Sequence, residues 1–227
     1  MKRKGVLEKP YYSMGDKPNL KFLGSLILLI DGYLAYFFDD PEPFNHYIKR
    51  GALGSELQKD WKEVYKILYK MAYTLKTIPT LRTYVVMQGA LRSFSLPLTL
   101  TGTILAISSI FFKESYTLMV AVAIFLAVLG MIALVGSWYM GKKFADTITD
   151  YFTSHDKKFE LKRIFLRNVV QKLLFSFAYY LKKDGTDLKR YKFKLFNAFY
   201  KGIKVVKKPK FFRKKYIVQF DVEKLPF

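Results

Sequence analysis

No cysteine occurs in the chain. Disulfides, thiolate metal sites, iron–sulfur clusters and cysteine nucleophiles are therefore excluded. Histidine is almost as scarce: His46 and His155 are the only two, which argues against histidine-rich metal or haem sites. Neither a GxGxxG nor a Walker-type phosphate loop is written anywhere. Ser154, His155 and Asp156 stand side by side, but triad members must converge from separate segments around the imidazole, so this run reads as a polar loop. No residue pattern carries catalytic chemistry, and the expectation is a protein that is not an enzyme and holds no metal or cofactor.

Acid is scarce too. The 227 residues hold 18 Asp and Glu against 39 Lys and Arg, a net charge of +21. Half of the chain is nonetheless hydrophobic and 18% is aromatic. A disordered basic tail would be poor in aromatics. A basic chain with long apolar runs meets anionic lipid, nucleic acid or an acidic partner. The start, MKRKGVLEKPYYSMGDKP, has no apolar core before Pro10 and is interrupted by Glu8 and Asp16, so neither a secretory signal nor a transit peptide is expected.

Two runs contain no charge at all. Residues 93–112 read SFSLPLTLTGTILAISSIFF, and residues 115–141 read SYTLMVAVAIFLAVLGMIALVGSWYMG. About twenty helical residues cross the roughly 30 Å hydrocarbon layer. A transmembrane hairpin with its turn at Lys113–Glu114 is expected. Arg82 and Arg92 precede it and Lys142 and Lys143 follow it, so both outer ends belong on the cytoplasmic or matrix side. Trp138 and Tyr139 suit the interface there. Pro97 lies near the start of its helix, where a missing N–H matters least. Gly102, Ala106 and Ser109, and opposite them Ala123, Ala127, Gly130, Ala133 and Ser137, form small-residue stripes that let helix backbones approach.

The stretch from Phe22 to Phe38 is harder to place, because Asp31 and Gly32 sit at its centre. Ten Leu, Ile or Phe residues there favour insertion by about 0.3–0.6 kcal/mol each, against roughly 2.5–3.5 for a central Asp. The sum is near zero. Spanning would also put the basic N-terminus opposite the basic C-terminus. A helix lying in the interface or against a partner is expected rather than a third span. Gly24, Leu28, Asp31, Gly32 and Ala35 share one face, so the acid should meet a cation or donor there, from this chain or a partner.

The remaining elements follow from spacing. Residues 41–54, with Pro41, Pro43, Gly51 and Gly54, read as a loop. Asp39, Asp40 and Glu42 make a solvated acidic cluster beside His46. Residues 55–78 read as an amphipathic helix opening on a Ser55/Gln58 capping box and stopped by Pro79. A short helix over 80–91 leads into the membrane. The second span should continue to about Phe152, followed by a helix over 156–183, a turn at Asp184–Gly185, and a basic amphipathic helix over 187–205. After KKPKFFRKK, the alternation in YIVQFDVE suggests a short strand or extended arm. The expected class is thus an all-α integral membrane protein. It divides into a basic arm (1–21), an apolar helix (22–38), amphipathic helices (55–92), the hairpin (93–141) and a basic C-terminal region (142–227).

That last region holds 23 Lys and Arg against 8 Asp and Glu. Interleaved aromatics and lysines suit a phospholipid surface. Candidate lipid or partner contacts are Asp31, Arg92, Lys142, Lys143, Arg163, Arg167, Lys207, Lys208, Arg213, Lys214 and Lys215. Nucleic acid competes for the same cations, but arginine is outnumbered and no RNA-binding signature is present. In composition and layout the chain is similar to accessory subunits of mitochondrial inner-membrane respiratory complexes. That likeness implies a structural or assembly subunit of a respiratory-chain or ATP synthase assembly, with cardiolipin as its phospholipid. An archaeal plasma-membrane protein would share the composition. Two alternatives are a stand-alone membrane-anchored adaptor whose tail binds anionic lipid or nucleic acid, and a small oligomeric channel or transporter with Asp31 facing the pore.

Overall fold

The computed structural model describes residues 9–14, 18–50, 54–111, 116–210 and 214–226. The chain forms α1 (Leu20–Leu34), α2 (Glu42–Lys49), α3 (Gly54–Thr77), α4 (Pro79–Ser108), α5 (Tyr116–His155) and α6 (Phe159–Lys183). Three strands follow: β1 (Lys192–Leu195), β2 (Ile203–Lys207) and β3 (Tyr216–Phe220). Two units result, one made of Met1–Tyr73 with Lys158–Phe227, the other of Thr74–Lys157.

The second unit is the hairpin. Both of its helices are long and apolar enough to cross a membrane. They run antiparallel, and of the expected stripes Gly102, Ser109, Ala123, Gly130, Ala133 and Ser137 are buried in the seam, whereas Ala106 is exposed. A Cβ on Gly102 would stand 2.8 Å from the Ala123 carbonyl, and one on Gly130 would overlap the Thr99 hydroxyl. Ala123, Ala133 and Ser137 are buried, and the Ser137 hydroxyl donates to the Gln88 carbonyl at 3.2 Å. The outward faces are apolar: Ile104, Phe125 and Met131 are each more than 60% exposed. Hydroxyls inside the span bond back to their own helix, Thr99 to Ser95 O and Thr103 to Thr99 O, both at 2.8 Å. Pro97 sits inside α4, which stays helical through it.

Two boundaries differ from the sequence reading. The 80–91 helix and the first span are one continuous 30-residue helix, because nothing after Pro79 breaks the backbone. That helix ends at Ser108, and Lys113–Glu114 lie outside the described residues. The second helix runs unbroken for 40 residues to His155, close to the expected end near Phe152, and at about 60 Å it is twice as long as a hydrocarbon layer is thick.

The other unit is built on α1 and α6, which pack against each other. The 15-residue α1 is only about 22 Å long, too short to span. Leu23, Leu26, Ile27, Ile30 and Tyr33 are buried within the protein. The apolar run 22–38 is therefore neither interfacial nor a third span: its apolarity is satisfied by Leu166, Val170, Leu173, Leu174 and Phe177 of α6 and the rest of this core. Asn19 caps it, its Oδ1 accepting from Phe22 N at 3.0 Å. The supposed loop 41–54 contains α2, because Pro41 and Pro43 open a helix, where a fixed φ and a missing N–H are harmless. Asp40 accepts from Glu42 N at 3.0 Å at its start. No Ser55/Gln58 capping box forms: Gln58 donates instead to the Ile48 carbonyl, at 3.0 Å. Part of the N-terminal arm is folded as well, with Tyr12 N donating to Ser176 Oγ at 3.0 Å and Met14 N to the Tyr180 hydroxyl oxygen at 2.6 Å.

The largest correction is at the C-terminus. The basic helix expected over 187–205 does not exist, and the protein is not all-α. Its residues form β1 and β2, and YIVQF is the central strand of an antiparallel sheet ordered β1-β3-β2. Phe193 and Phe220 lie 4.8 Å apart, and the Phe177 ring of α6 meets both at 6.1 Å. One face of the sheet thus closes the helical core.

Candidate functional site

Asp31 is fully buried. Its Oδ2 accepts from Phe196 N at 2.5 Å and Asn197 N at 3.3 Å, and its Oδ1 from Asn197 Nδ2 at 2.8 Å and the Tyr200 hydroxyl at 2.6 Å. Among the described residues no cation pairs with it. Burial raises the Asp31 pKa, against the downward pull of the bonds from Tyr200, Asn197 and Phe196. Burial likewise raises Tyr200, with the carboxylate beside it adding to the effect. The carboxylate holds the β1–β2 connection onto α1. It is enclosed by its own chain.

Gly32 completes this junction. A side chain there would press on Phe37 O at 3.0 Å and on the Phe196 ring at 3.4 Å. Without one, Phe37 and Phe196 stack at 4.5 Å. Lys214 lies over Phe37 at 4.9 Å and Lys215 over Phe196 at 4.6 Å. These two lysines clamp the strand to the junction, each using its charge on a ring face.

The other candidate cations separate into groups. Arg167 stacks over Phe199 at 4.1 Å and donates to its carbonyl at 3.4 Å. Arg163 pairs with Glu160 at 3.3 Å on its own helix. Both serve α6 and its neighbours. On the hairpin, Arg92, Lys142 and Lys143 are exposed, and Lys143 reaches over Tyr139 at 5.7 Å. Because Leu91 faces Gly136, Arg92 sits about six residues, roughly 9 Å, nearer the turn than the level of Lys142. Lys208 is exposed just past β2, and Arg213 lies outside the described residues.

Lys207 belongs to a group that helical spacing hid. Residues paired across strands share a face. Lys192 and Lys204 both pair with Gln219, while Lys194 and Lys207 both pair with Ile217. Four exposed lysines therefore flank the central strand on the face turned away from the core. A bulge between Val205 and Lys207 sets Lys207, rather than Val206, opposite Ile217. The signal was present as alternation in KFKL and IKVVK, legible once the segment is read with a period of two.

Two further polar groups are held by their own neighbours. Glu42 takes a hydrogen bond from Tyr65 and another from Asn45 at 3.3 Å, with His46 3.6 Å away. These bonds, Tyr65's first, lower the Glu42 pKa. His155 Nδ1 lies 3.0 Å from Tyr151 O and Ser154 donates to Asp150 O at 2.7 Å, so the two do not face each other as a catalytic pair. Among the described residues no cluster of three acids or histidines could hold a metal. Compared with known protein families, curated proteins and solved structures, the chain matches none.

Proposed function

We propose that the chain is a non-catalytic membrane-anchored adaptor. The α4–α5 hairpin holds it in the bilayer, and the unit built on α1, α6 and the sheet acts as a cation-rich module on the side where both hairpin ends emerge. The observation that carries this reading is the closure of the basic C-terminal region on its own chain through Asp31. A subunit whose tail wraps neighbours would keep that tail extended. Here Leu195, Val218 and Phe220 are buried within the module's own core, which supports this reading. Anionic lipid is the ligand that best fits its charge. Gentle detergent extraction should return a monomer or small homo-oligomer of the 26.6 kDa chain, and alkaline carbonate should leave it in the membrane pellet. Release into the supernatant would overturn the anchor. A much larger particle containing other proteins would overturn the adaptor.

One observation favours a second reading, a structural subunit of a larger membrane assembly such as a respiratory or ATP synthase complex of the mitochondrial inner membrane. A shallow apolar groove of about 720 Å³ runs along α5 between Val128 and Tyr139, with Gly136 in its lining. A further transmembrane helix would fit such a groove, and the large particle is the result this reading expects.

A further inference from the structure

We infer that the outer face of the β1-β3-β2 sheet is a docking surface for anionic phospholipid headgroups, with Lys192, Lys194, Lys204 and Lys207 as the phosphate-contacting residues. The inference rests on the membrane anchoring proposed above. Pairing places the four lysines at the corners of a patch roughly 7 Å along the strands and about 9.5 Å across them. All four are exposed, and among the described residues none makes an ion pair. The one carboxylate that alternation carries toward this face, Asp221 just past β3, is held by Lys224 at 3.0 Å. The strand between the lysines contributes only Gln219 and Ile217, so nothing on the patch opposes an incoming phosphate.

The same face argues against nucleic acid. Single-stranded binders stack bases on exposed aromatic rings. Here Phe193 and Phe220 lie on the opposite face, against Phe177, and among the described residues of the three strands the outer face carries no ring and no arginine to read base edges. Flexible point charges over an uncharged floor suit headgroups that need no fixed geometry. The bulge adds to this, because a regular strand would put Val206 in the row that Lys207 completes.

The test uses the full chain in nanodiscs of neutral phosphatidylcholine, mixed with phosphatidylcholine vesicles containing about one-third phosphatidylglycerol, and reads co-sedimentation. Each lysine changed to glutamine should weaken vesicle partitioning about fivefold (about 1 kcal/mol), and K192Q/K194Q/K204Q/K207Q several-hundredfold. Changing Lys59, Lys62, Lys66 and Lys189 to glutamine, an equal charge loss elsewhere on the unit, should alter it less than about tenfold. With no variant at all, binding of the native chain should vanish as added salt shortens the Debye length from about 10 Å to about 3 Å. Salt-insensitive binding, equal losses in the two quartets, or no effect of the sheet quartet would overturn the proposal. So would a single-stranded oligonucleotide that binds through the sheet quartet more tightly than the vesicles do. If the chain enters discs but ignores the vesicles, the sheet inference falls and the anchor stands. If it cannot enter discs, both fall.

Discussion

Replacing Asp31 by alanine should nearly unfold the unit that contains it. The substitution leaves three donors without their acceptor, Phe196 N, Asn197 N and the Tyr200 hydroxyl, while Asn197 Nδ2 keeps only its bond to the residue 31 carbonyl at 3.2 Å. A buried donor left without a partner costs about 1–3 kcal/mol. Part of that is offset because a buried carboxylate no longer has to be desolvated, and water can enter the vacated space. A net loss of about 4 kcal/mol remains. With a urea slope of about 2 kcal/mol per molar, the midpoint should drop by about 2 M. The chain has two tryptophans, so Trp138→Phe leaves Trp61, buried in the same unit, as the sole fluorescent reporter. Asp31→Asn should be intermediate: its carbonyl still accepts, but its amide turns N–H against N–H. Asp39→Ala, at an exposed carboxylate, should stay within about 0.5 kcal/mol. A midpoint for Asp31→Ala within about 0.3 M of the parent would refute the claim that this carboxylate holds the sheet on α1.

Three further outcomes follow from other contacts. Gly102→Leu and Gly130→Leu drive a side chain into the facing helix and should destabilise the hairpin by about 1–3 kcal/mol or more; Gly89→Leu, with open space around its Cβ, should not, and thermal melts in detergent compare them. Because burial raises the Asp31 pKa in the folded state, the stability linked to this group is fully present below its unfolded pKa of about 3.9 and is lost as pH rises through the folded value. The urea midpoint should therefore fall across that interval, and Asp31→Asn should flatten the fall. Tyr12 and Tyr200 are raised, mainly by burial, and Tyr65 is pushed up to about 12, mainly by its hydrogen bond to Glu42. Each favours the fold below the ordinary phenol pKa of about 10 and loses that contribution above it, so phenolate absorbance should show a late, cooperative step coinciding with unfolding rather than a simple titration.

The sequence revealed most where composition alone decides. The hairpin needed only the absence of charge, and its seam only the spacing of glycine and alanine. α3 and α6 were legible because Leu57, Trp61, Val64, Leu68 and Met71, and Phe159, Val169, Leu173 and Phe177, keep helical spacing over many turns. What failed depended on distant partners. The donors that satisfy Asp31 lie about 165 residues further along, so hydropathy could weigh its cost in lipid but not its satisfaction in protein. Residues 187–205 carry Leu188, Tyr191, Leu195 and Phe199 at helical spacing, and also KFKL at strand spacing. Both periods fit, and the choice is made by β3, which supplies the ladder and a core-facing Val218 and Phe220.

The lysines of the sheet have a competing explanation in the edges themselves. β1 and β2 are edge strands, and lysine on an edge discourages pairing with another chain. That role would keep four lysines there with no ligand at all. The two roles separate by charge sign. Edge protection needs charge of either sign, whereas headgroup binding needs positive charge. Lys→Glu at 192, 194, 204 and 207 should therefore leave the detergent-solubilised chain as monodisperse as the parent while abolishing its binding to phosphatidylglycerol vesicles. Lys→Gln should abolish binding equally, and it should broaden the size distribution if the edges also depend on charge. Light scattering and co-sedimentation on the same preparations read both effects. Were the glutamate variant to bind anionic vesicles like the parent, edge protection alone would account for the lysines and the sheet face would carry no ligand.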